Sequence, residues 1–387
     1  MSAHRSIEQT HALLRLLRRH GNGVRTRQWL EDAGDPVAAL AAAPRRASND
    51  DAPGQGDTAA RVDADLAWLG ASGRHLVSIL DVDFPPLLRD SAQAPAALWI
   101  EGDPIQLWAP QVAIVGARSA TPTGLAIARD FATVLARAGL VITSGLAEGI
   151  DAAAHSAALD ADGSTIAVCG TGLSVVYPRR HAALGLRIAT QGALVSEFPP
   201  DTGARAAHFP RRNRIIAGLA LGTLVVEAGL RSGSLVTARL ATDQGREVFA
   251  IPGSIHNPLA RGCHRLLRDG ATLVEDAGEV LAALSPLAER LGHTIRERLA
   301  DAPQRAGVAA RRAPDGDQSR VLDALAGGPS DVDGLVATIG LDAGRVAAAL
   351  TLLQIEGLIA QASAGQWMRV GNICCKNPDS CCRCTGS

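Results

Sequence analysis

The sequence predicts an α/β protein built on a Rossmann-like, doubly wound and mostly parallel β-sheet. Short apolar runs rich in β-branched residues recur along the middle of the chain, helical segments fall between them, and glycine-rich turns follow several of the runs. Strands that alternate with helices form βαβ units, whose helices cover both faces of a parallel sheet. Right-handed crossovers make the sheet doubly wound, with ligands expected beyond the carboxyl ends of its strands.

The predicted strands and helices alternate from residue 112 onward. Strands are predicted at 112–116, 140–143, 165–169, 193–196, 222–226, 247–251 and 271–274. Helices are predicted between and after them at 124–138, 147–159, 179–190, 211–220, 233–245, 256–268 and 276–284. With the strand-like segment LWIEGD that precedes them, these elements predict a Rossmann-like domain over residues 79–290.

A helical domain is predicted over residues 1–75, with a linker at 42–60. A leucine-rich helix, the turn HGNGVRT and a second helix come first, and residues 42–60 are rich in Ala, Pro, Gly, Asp and Ser without a period. Residues 1–30 hold six arginines and one glutamate. A glycine turn between helices with basic flanks binds DNA backbone through turn amides or belongs to a protein-interaction module, and both interpretations stay open.

A second linker at 300–317 leads to a winged-helix-like domain at 318–371. Its third helix, DAGRVAAALTLLQIEG, has Arg345 as its only basic residue, whereas a helix that reads DNA presents several polar or basic side chains. Docking of a protein partner is therefore favoured over DNA reading.

The tail at 372–387 holds five cysteines whose spacing fits no standard zinc pattern, so a silent extension is favoured over a metal or redox role.

Composition limits where a nucleic-acid site can lie. The 387 residues carry a formal net charge of −1, so binding to a polyanion requires a local basic patch.

No apolar run reaches the length of a membrane span, and no charged-then-apolar leader opens the chain. Cys169 and Cys263 stand alone in its body. These features predict a cytoplasmic protein with no membrane association.

The strongest chemical signal is a basic run that begins at Arg205 and contains no acidic residue before Glu227. The run carries Arg205, Arg211, Arg212 and Arg214. Helical spacing places Arg211 and Arg214 on one face and leaves Arg212 or Asn213 as a structural anchor.

Two neighbouring features strengthen this signal. Phe209 lies beside the arginines, a pairing that is typical of single-strand binding. After the next predicted strand, Ser232, Gly233 and Ser234 open a helix whose first N–H groups form a phosphate cradle.

Three more turns follow predicted strands and offer groups for DNA. Arg118 projects from the turn AIVGARSATPTG, either as a surface arginine or as a phosphate contact. Ser144 and Gly145 open a helix and predict a second set of free amides. Tyr177 either stacks on a base or fixes a turn, and Arg179 adds charge beside it.

Other polar residues have competing interpretations. Asp151 and His155 are i,i+4 neighbours, and the lack of a third ligand favours a local hydrogen bond over a metal site. Glu227 is expected to pair with an arginine of the basic run, in preference to acting as a general acid or base. The Arg118 turn lacks the G-x-G-x-x-G fingerprint, and no cofactor or metal is predicted.

Several blocks of the chain resemble one known family. HFPRRNRIIAGLA, VVEAGLRSGSLVTARLA and REVFAIPGSIHNPLARGCHRLLRDGATLVED look like the bacterial DNA-processing protein A family, also called Smf. The resemblance runs from about Ile79 to Leu284 and keeps the blocks in order. It implies a protein that is not an enzyme, binds single-stranded DNA and hands it to the RecA recombinase, in the setting of natural transformation.

The resemblance also implies partners and domains. It implies a homodimer, with single-strand-binding protein as a further candidate partner, and a DNA pocket to which the Gly–x–Arg turn at Arg118 contributes. It implies a sterile-alpha-motif-like or helix-hairpin-helix-like accessory domain at the N-terminus and a winged-helix-like domain at the C-terminus. DNA backbone is then expected on Arg118, on the amides near Ser144 and Ser232 and on Arg211 to Arg214, with a base on Phe209 or Tyr177.

Two other function classes fit the sequence less well. The Rossmann variant also resembles that of nucleotide phosphoribohydrolases, but the corresponding turn, LRSGS, lacks their paired glycines, and Glu227 would have to be the acid or base. An adaptor whose Rossmann domain serves only as a dimer scaffold would leave the basic run unexplained.

Overall fold

The computed structural model describes residues 5–44, 59–301, 316–327, 330–355, 359–361 and 366–369. The chain divides into two compact units, Met1–Leu299 and Ala300–Ser387. The predicted Cys-rich tail at 372–387 and most of both predicted linkers lie outside the described residues. The predicted domain boundaries therefore stay predictions.

One nine-stranded sheet organises the first unit. Its strands are β1 (Arg74–Ser78), β2 (Ala97–Gly102), β3 (Gln111–Val115), β4 (Val141–Ser144), β5 (Thr165–Val168), β6 (Ala193–Ser196), β7 (Gly222–Val225), β8 (Glu247–Ala250) and β9 (Thr272–Leu273). They lie in the order β1-β2-β6-β5-β4-β3-β7-β8-β9. The seven neighbouring strands β6-β5-β4-β3-β7-β8-β9 all pair in parallel. At the other edge of the sheet, β2 pairs antiparallel with β6 and with β1. The predicted Rossmann-like, mostly parallel fold is confirmed.

Helices cover both faces of this sheet. They are α1 (Ile7–His20), α2 (Val24–Ala33), α3 (Pro36–Ala42), α4 (Ala59–Leu69), α5 (Pro86–Arg89), α6 (Pro122–Arg137), α7 (Ile150–Asp160), α8 (Ala182–Gln191), α9 (His208–Leu219), α10 (Gly233–Asp243), α11 (Arg261–Arg268) and α12 (Ala277–Asp301). Along β3, Val112 and Ile114 join the core beneath α6, α7 and α12, whereas Ala113 and Val115 join the core on the opposite face. Successive side chains along a strand thus point alternately into the two cores. Each fully buried Ile or Val stabilises the fold by about 1.5–3 kcal/mol.

The N-terminal helices dock onto the antiparallel side of the sheet. Ser6 and Gln9 form a capping box that starts α1. Arg18 of α1 is 1% exposed and pairs with Asp65 at 2.6 Å and with Asp201 at 2.8 Å. In the turn between α1 and α2, Asn22 donates to the backbone oxygens of residues 97 and 197. The side chain of Asn22 therefore helps to hold the helices on the sheet.

The second unit has its own small core. It contains α13 (Gly316–Ala324), α14 (Val332–Ile339), α15 (Ala343–Ile355) and the antiparallel pair β10 (Ile359–Gln361) and β11 (Trp367–Arg369). Three helices followed by a two-stranded ribbon agree with the predicted winged-helix-like arrangement. Arg345 of α15 pairs with Asp317 through two hydrogen bonds of 2.8 and 2.9 Å, so its charge is already compensated. Among the described residues, no helix is long and apolar enough to cross a membrane.

Candidate nucleic-acid interface

A crevice of about 850 Å³ opens at the carboxyl ends of the central strands. It lies above β3, whose neighbours in the sheet are β4 on one side and β7 on the other. The chain winds in opposite directions from this point, with α6 on one face and α9 on the other. A doubly wound sheet binds its ligands at such a switch point. The crevice is lined by residues 115–119, 147, 151, 177, 204–206, 209, 210, 212, 213, 216, 229, 231–234, 237 and 259.

The turn from β3 to α6 presents Arg118 to the crevice. Its backbone is fixed by Glu227, whose carboxylate accepts from Thr121 N at 2.9 Å and from Thr121 Oγ1 at 2.7 Å. The N–H of Ala117 donates to the backbone oxygen of Glu227 at 2.7 Å. Arg118 itself is exposed. The fold thus holds an exposed cation beside the crevice, on a turn that is fixed by hydrogen bonds to Glu227.

The role expected for Glu227 was wrong. We expected it to pair with an arginine of the basic run, but it accepts from Thr121 and, at 3.3 Å, from the side-chain amide of Asn257. The physical reason is position, since β7 ends directly beside the first turn of α6. A side chain on Gly124 would overlap the Glu227 carboxylate, so the bare glycine lets the two segments meet.

Two aromatic rings extend the surface that Arg118 begins. The Arg118 guanidinium lies over Phe209, 5.6 Å from the ring centre. Phe209 in turn contacts Tyr177, with ring centres 5.3 Å apart and planes tilted by 43°. Tyr177 is 46% exposed. A Cβ on Gly170 would lie 2.8 Å from the Phe209 ring, so this glycine makes room for Phe209. The predicted pairing of arginine and aromatic is present, although the arginine comes from a different turn.

Arg211 and Arg214 of α9 do not line the crevice. They do share one face, as predicted, but both point at Glu197, which is fully buried and accepts from them at 3.1 and 2.5 Å. Arg211 also donates to the backbone oxygen of Asn22, and Arg214 to that of Gln93. Burial raises the pKa of Glu197, while the two guanidiniums oppose this shift. Both charges are therefore paired with a buried carboxylate outside the crevice lining, which argues against the phosphate contacts expected for them, although the Arg211 side chain is 34% exposed.

Arg212 and Asn213 are structural anchors at the floor of the crevice. Arg212 is buried and donates to the backbone oxygens of Gly145 and Val168, and its Nε donates to Asn213 Oδ1 at 2.9 Å. Burial lowers the pKa of Arg212, and the nearby Asp151 carboxylate opposes the shift. Asn213 Nδ2 donates to the backbone oxygen of Gly233 at 3.3 Å. These contacts fasten α9 to the ends of β4 and β5 and to the start of α10.

The amides expected at Ser144 and Gly145 are not available. Ser144 is fully buried and its hydroxyl donates to the backbone oxygen of Ile114. The Gly145 N–H donates to Asp151 Oδ2 at 3.1 Å. An internal carboxylate thus occupies the place where phosphate was expected, and neither residue lines the crevice. Arg179 is exposed on a short 3₁₀ turn, Arg179–His181, and also lies outside the crevice lining.

Asp151 and His155 have separate partners. Asp151 accepts from Gly145 and Ala147, whereas His155 Nδ1 lies 2.7 Å from Thr165 Oγ1 and Nε2 lies 3.4 Å from Leu146 N. Burial, with help from the Arg212 charge, lowers the pKa of His155 to about 3. His155 is therefore a neutral core residue at ordinary pH.

The turn before α10 lies where the sequence predicted. Ser232 caps the helix, and its hydroxyl accepts from Ser234 N and lies 2.6 Å from the Ser234 hydroxyl. Ser232, Gly233 and Ser234 all line the crevice. The N–H of Gly233 belongs to the first helical turn, whose donors have no partner within the helix and sit at the positive end of its dipole. This end of α10 suits an anion.

Two more arginines belong to the crevice: Arg205, which the sequence indicated only as part of the basic run, and Arg231, which was not predicted as a site residue. Arg205 and Arg231 are exposed and line the crevice together with Arg118. Arg205 belongs to the basic run and Arg231 to the LRSGS turn, so a rule that favours arginines in loops at strand ends would have selected both. Three exposed guanidiniums, one helix N-terminus and two rings equip the crevice for a ligand that carries phosphate and a flat base.

Comparison with known proteins gives one consistent family. The sequence profile of the family described as DNA recombination-mediator protein A matches residues 75–285, and that of the DprA winged helix domain matches residues 303–365. Protein Smf of Escherichia coli is 50% identical over 224 residues, which are 58% of this chain and 60% of that protein, so the match spans less than two thirds of it. The putative DNA processing protein DprA of Mycobacterium tuberculosis is 38% identical over 78% of this chain and 79% of its own length.

A solved structure supports the same fold. The X-ray structure of DNA processing protein A from Streptococcus pneumoniae aligns with a TM-score of 0.57 and 36% identity. It covers 71% of this chain and 94% of the pneumococcal chain.

Proposed function

The chain belongs to the DNA recombination-mediator protein A family, and from this premise we propose that it binds single-stranded DNA in the crevice above β3. The observation that carries the proposal is the stack of Arg118, Phe209 and Tyr177 beside the exposed Arg205 and Arg231. Guanidiniums bind phosphate oxygens and aromatic rings stack on bases. A nucleic-acid strand offers both groups at every nucleotide.

The aromatic pair favours a single strand over a duplex. In a duplex both faces of each base are covered by neighbouring base pairs, so a ring can stack only on a base that is unpaired and turned outward. Stacking is tolerant of sequence because every base has a π-face. We therefore expect binding with little sequence preference, and affinity that falls with salt as neutralised phosphates release counterions.

Delivery of the bound strand to the RecA recombinase, in natural transformation, is the further step of the proposal. It is supported by the family description as a recombination mediator. A homodimer would place two crevices on one strand and raise the apparent affinity through effective concentration. Single-strand-binding protein is a further candidate partner, and all these partners imply a cytoplasmic location.

The alternative of a phosphoribohydrolase-like enzyme loses its candidate acid or base. Glu227 accepts from two groups of Thr121 and from Asn257, so its carboxylate is engaged in positioning the Arg118 turn. Asp151 is buried and accepts from two backbone amides. Asp151 lines the crevice, but its Oδ2 is taken up by these two amides, and we propose a binding role without catalysis.

The test is a titration of fluorescent oligo-dT and a matched duplex at two salt concentrations. We expect tight, salt-sensitive binding to the single strand and much weaker binding to the duplex. Equal binding to both, or no binding, would contradict the proposal and make nucleoside monophosphates the next ligands to test. RecA delivery is tested separately, by asking whether the protein accelerates RecA filament formation on single strands coated with single-strand-binding protein.

A further inference from the structure

Two stretches beside the crevice are free of acidic residues. Residues 228–242 contain Arg231 and Arg239, and residues 251–268 contain Arg261, Arg265, Arg268 and two histidines, with no Asp or Glu in either stretch. In a chain with a net charge of −1, such segments concentrate positive potential locally. Both stretches begin at the carboxyl ends of neighbouring strands, β7 and β8. Arg239 and Arg265 pair with Asp243 and Asp269, the acids that end the two stretches. The positive charge next to the crevice is therefore carried by Arg231 and Arg261.

Backbone contacts join the two stretches directly. The N–H of Ala228 donates to the oxygen of Leu259 at 2.6 Å, and the N–H of Gly262 donates to the oxygen of Ala228 at 2.8 Å. A Cβ on Gly262 would lie 2.5 Å from that oxygen, so the glycine permits the approach. Leu259 itself lines the crevice. The start of α11 is thus attached to the crevice wall that carries Arg231.

The surface formed there combines exposed apolar side chains with two guanidiniums. We call it the outer ridge and define it as Leu230, Arg231, Ile255, His256 and Arg261. Leu230 is 53% exposed, Ile255 is 73% exposed, and the other three are also exposed. Exposed apolar side chains beside guanidiniums suit a single strand, because unstacked bases bury apolar surface against them and phosphates bind the cations.

The loop that carries Ile255 and His256 is well anchored. The N–H of Asn257 donates to Ser254 O at 2.9 Å, and the Asn257 side chain donates to the Glu227 carboxylate. His264 of α11 lies 2.9 Å from the oxygen of Gly253. Because Glu227 also holds the Arg118 turn, the outer ridge and the crevice share one support.

From this continuity we propose that the outer ridge is a second section of the single-stranded DNA site. A strand that leaves the crevice past Arg231 continues over Ile255, and its backbone reaches Arg261 at the start of α11. The proposal rests on the proposed function and extends it, because it states where the strand runs and makes the site longer than the crevice.

The experiment compares two lengths of oligo-dT. A short oligonucleotide of about 4 nucleotides fills the crevice alone, and a long one of about 16 also reaches the ridge, since single-strand-binding folds cover roughly 4–16 nucleotides. We expect Arg261→Ala to weaken binding of the long strand about fivefold and to reduce its salt slope by about 0.7, the value for one phosphate contact. Arg261→Glu should weaken it further, and both variants should bind the short strand normally.

The matched control is Arg268→Ala, which removes the same charge from the opposite end of α11 and should change neither affinity. Arg118→Ala should weaken binding at both lengths. If the Arg261 variants bind both lengths normally while Arg118→Ala does not, the ridge is overturned as a DNA site, and a protein partner becomes its occupant. Equal weakening at both lengths by Arg261→Ala would also overturn it. If wild-type protein binds neither length, the proposed function itself fails.

Discussion

Two groups of arginines in this protein perform opposite tasks. The dense group on α9 (Arg211, Arg212 and Arg214) is directed into the fold, where a buried glutamate and backbone oxygens hold it. The dispersed group (Arg118, Arg205 and Arg231) stands one by one on turns and is exposed at the crevice. The density of basic residues in the sequence is therefore a poor guide to which arginines are exposed at the crevice.

The difference follows from the elements that carry the two groups. A helix that packs against a sheet buries one face, and charged side chains on that face must find partners because an unpaired buried charge is costly. A turn at the end of a strand is exposed on its outer side, so its side chains stay solvated and available. The inward arginines set the shape of the crevice and the outward ones supply its charge.

The largest effect that this comparison predicts is on stability, at Glu197. Glu197→Ala should leave Arg211 and Arg214 without their shared carboxylate and should lower the free energy of unfolding by about 3–5 kcal/mol, as expected for a broken buried ion pair. Urea unfolding followed by circular dichroism measures this change. Glu247→Ala, at an exposed position on β8, serves as the control and should change stability by less than about 0.5 kcal/mol. A similarly small loss at Glu197 would show that the inward arginines do not depend on it.

A second prediction concerns pH, through the neutral His155 beside Arg212. Its pKa is about 3 in the folded protein and is near its ordinary 6.5 when unfolded, so the unfolded state binds more protons between these values. Stability should therefore be complete above about pH 6.5 and fall as the pH drops, by about 2–3 kcal/mol between pH 7 and 4.5 from this group alone. Unfolding at several pH values should show a flatter profile in His155→Gln. His256→Gln, at an exposed histidine, should keep the wild-type slope, and an unchanged slope in both variants would contradict the assignment.

Much of the fold could be predicted from the sequence. Alternating apolar runs and helical segments predicted the strands of the parallel sheet to within one or two residues, because a buried strand must be apolar on both faces. The antiparallel strand β1 was not predicted. Its five residues pair only with β2 at the sheet edge, a tertiary contact that local pattern does not encode.

The candidate site was harder to predict, because its chemistry depends on which partner each side chain reaches. The pattern predicted the Arg118 turn, the Ser232 turn and the aromatic residues at the crevice. It did not predict that Glu197 would bind Arg211 and Arg214, which lie 14 and 17 residues further along the chain, nor that the Asp151 carboxylate would turn back onto the amides of Gly145 and Ala147. Helical spacing placed Arg211 and Arg214 together, but it contains no information on which side of α9 faces the crevice.

The sharpest test of the two groups compares Arg118→Ala with Arg211→Ala. Removing the exposed Arg118 should leave the free energy of unfolding within about 0.5 kcal/mol and weaken oligo-dT binding about tenfold, or about 1.4 kcal/mol. Removing Arg211 should lower stability by about 1 kcal/mol, because it takes one donor from the buried Glu197, and should leave binding by the folded protein nearly unchanged. Urea unfolding curves measure the stability of both variants, and fluorescence anisotropy measures their affinity for oligo-dT. The reverse pattern would mean that the inward group binds the strand.

The smallest predicted effect isolates the stacking contribution at Tyr177. Because this ring is half exposed and packs on Phe209, Tyr177→Leu should leave stability unchanged and weaken oligo-dT binding by about 1 kcal/mol, the low end of the range for one stacked base. Tyr177→Phe keeps the ring and should bind normally. A strand with abasic sites retains its phosphates but offers no bases, so wild type and Tyr177→Leu should bind it equally. If the leucine variant binds the abasic strand more weakly than wild type does, Tyr177 acts on the backbone or on the shape of the crevice, and base stacking on this ring is excluded as its contribution.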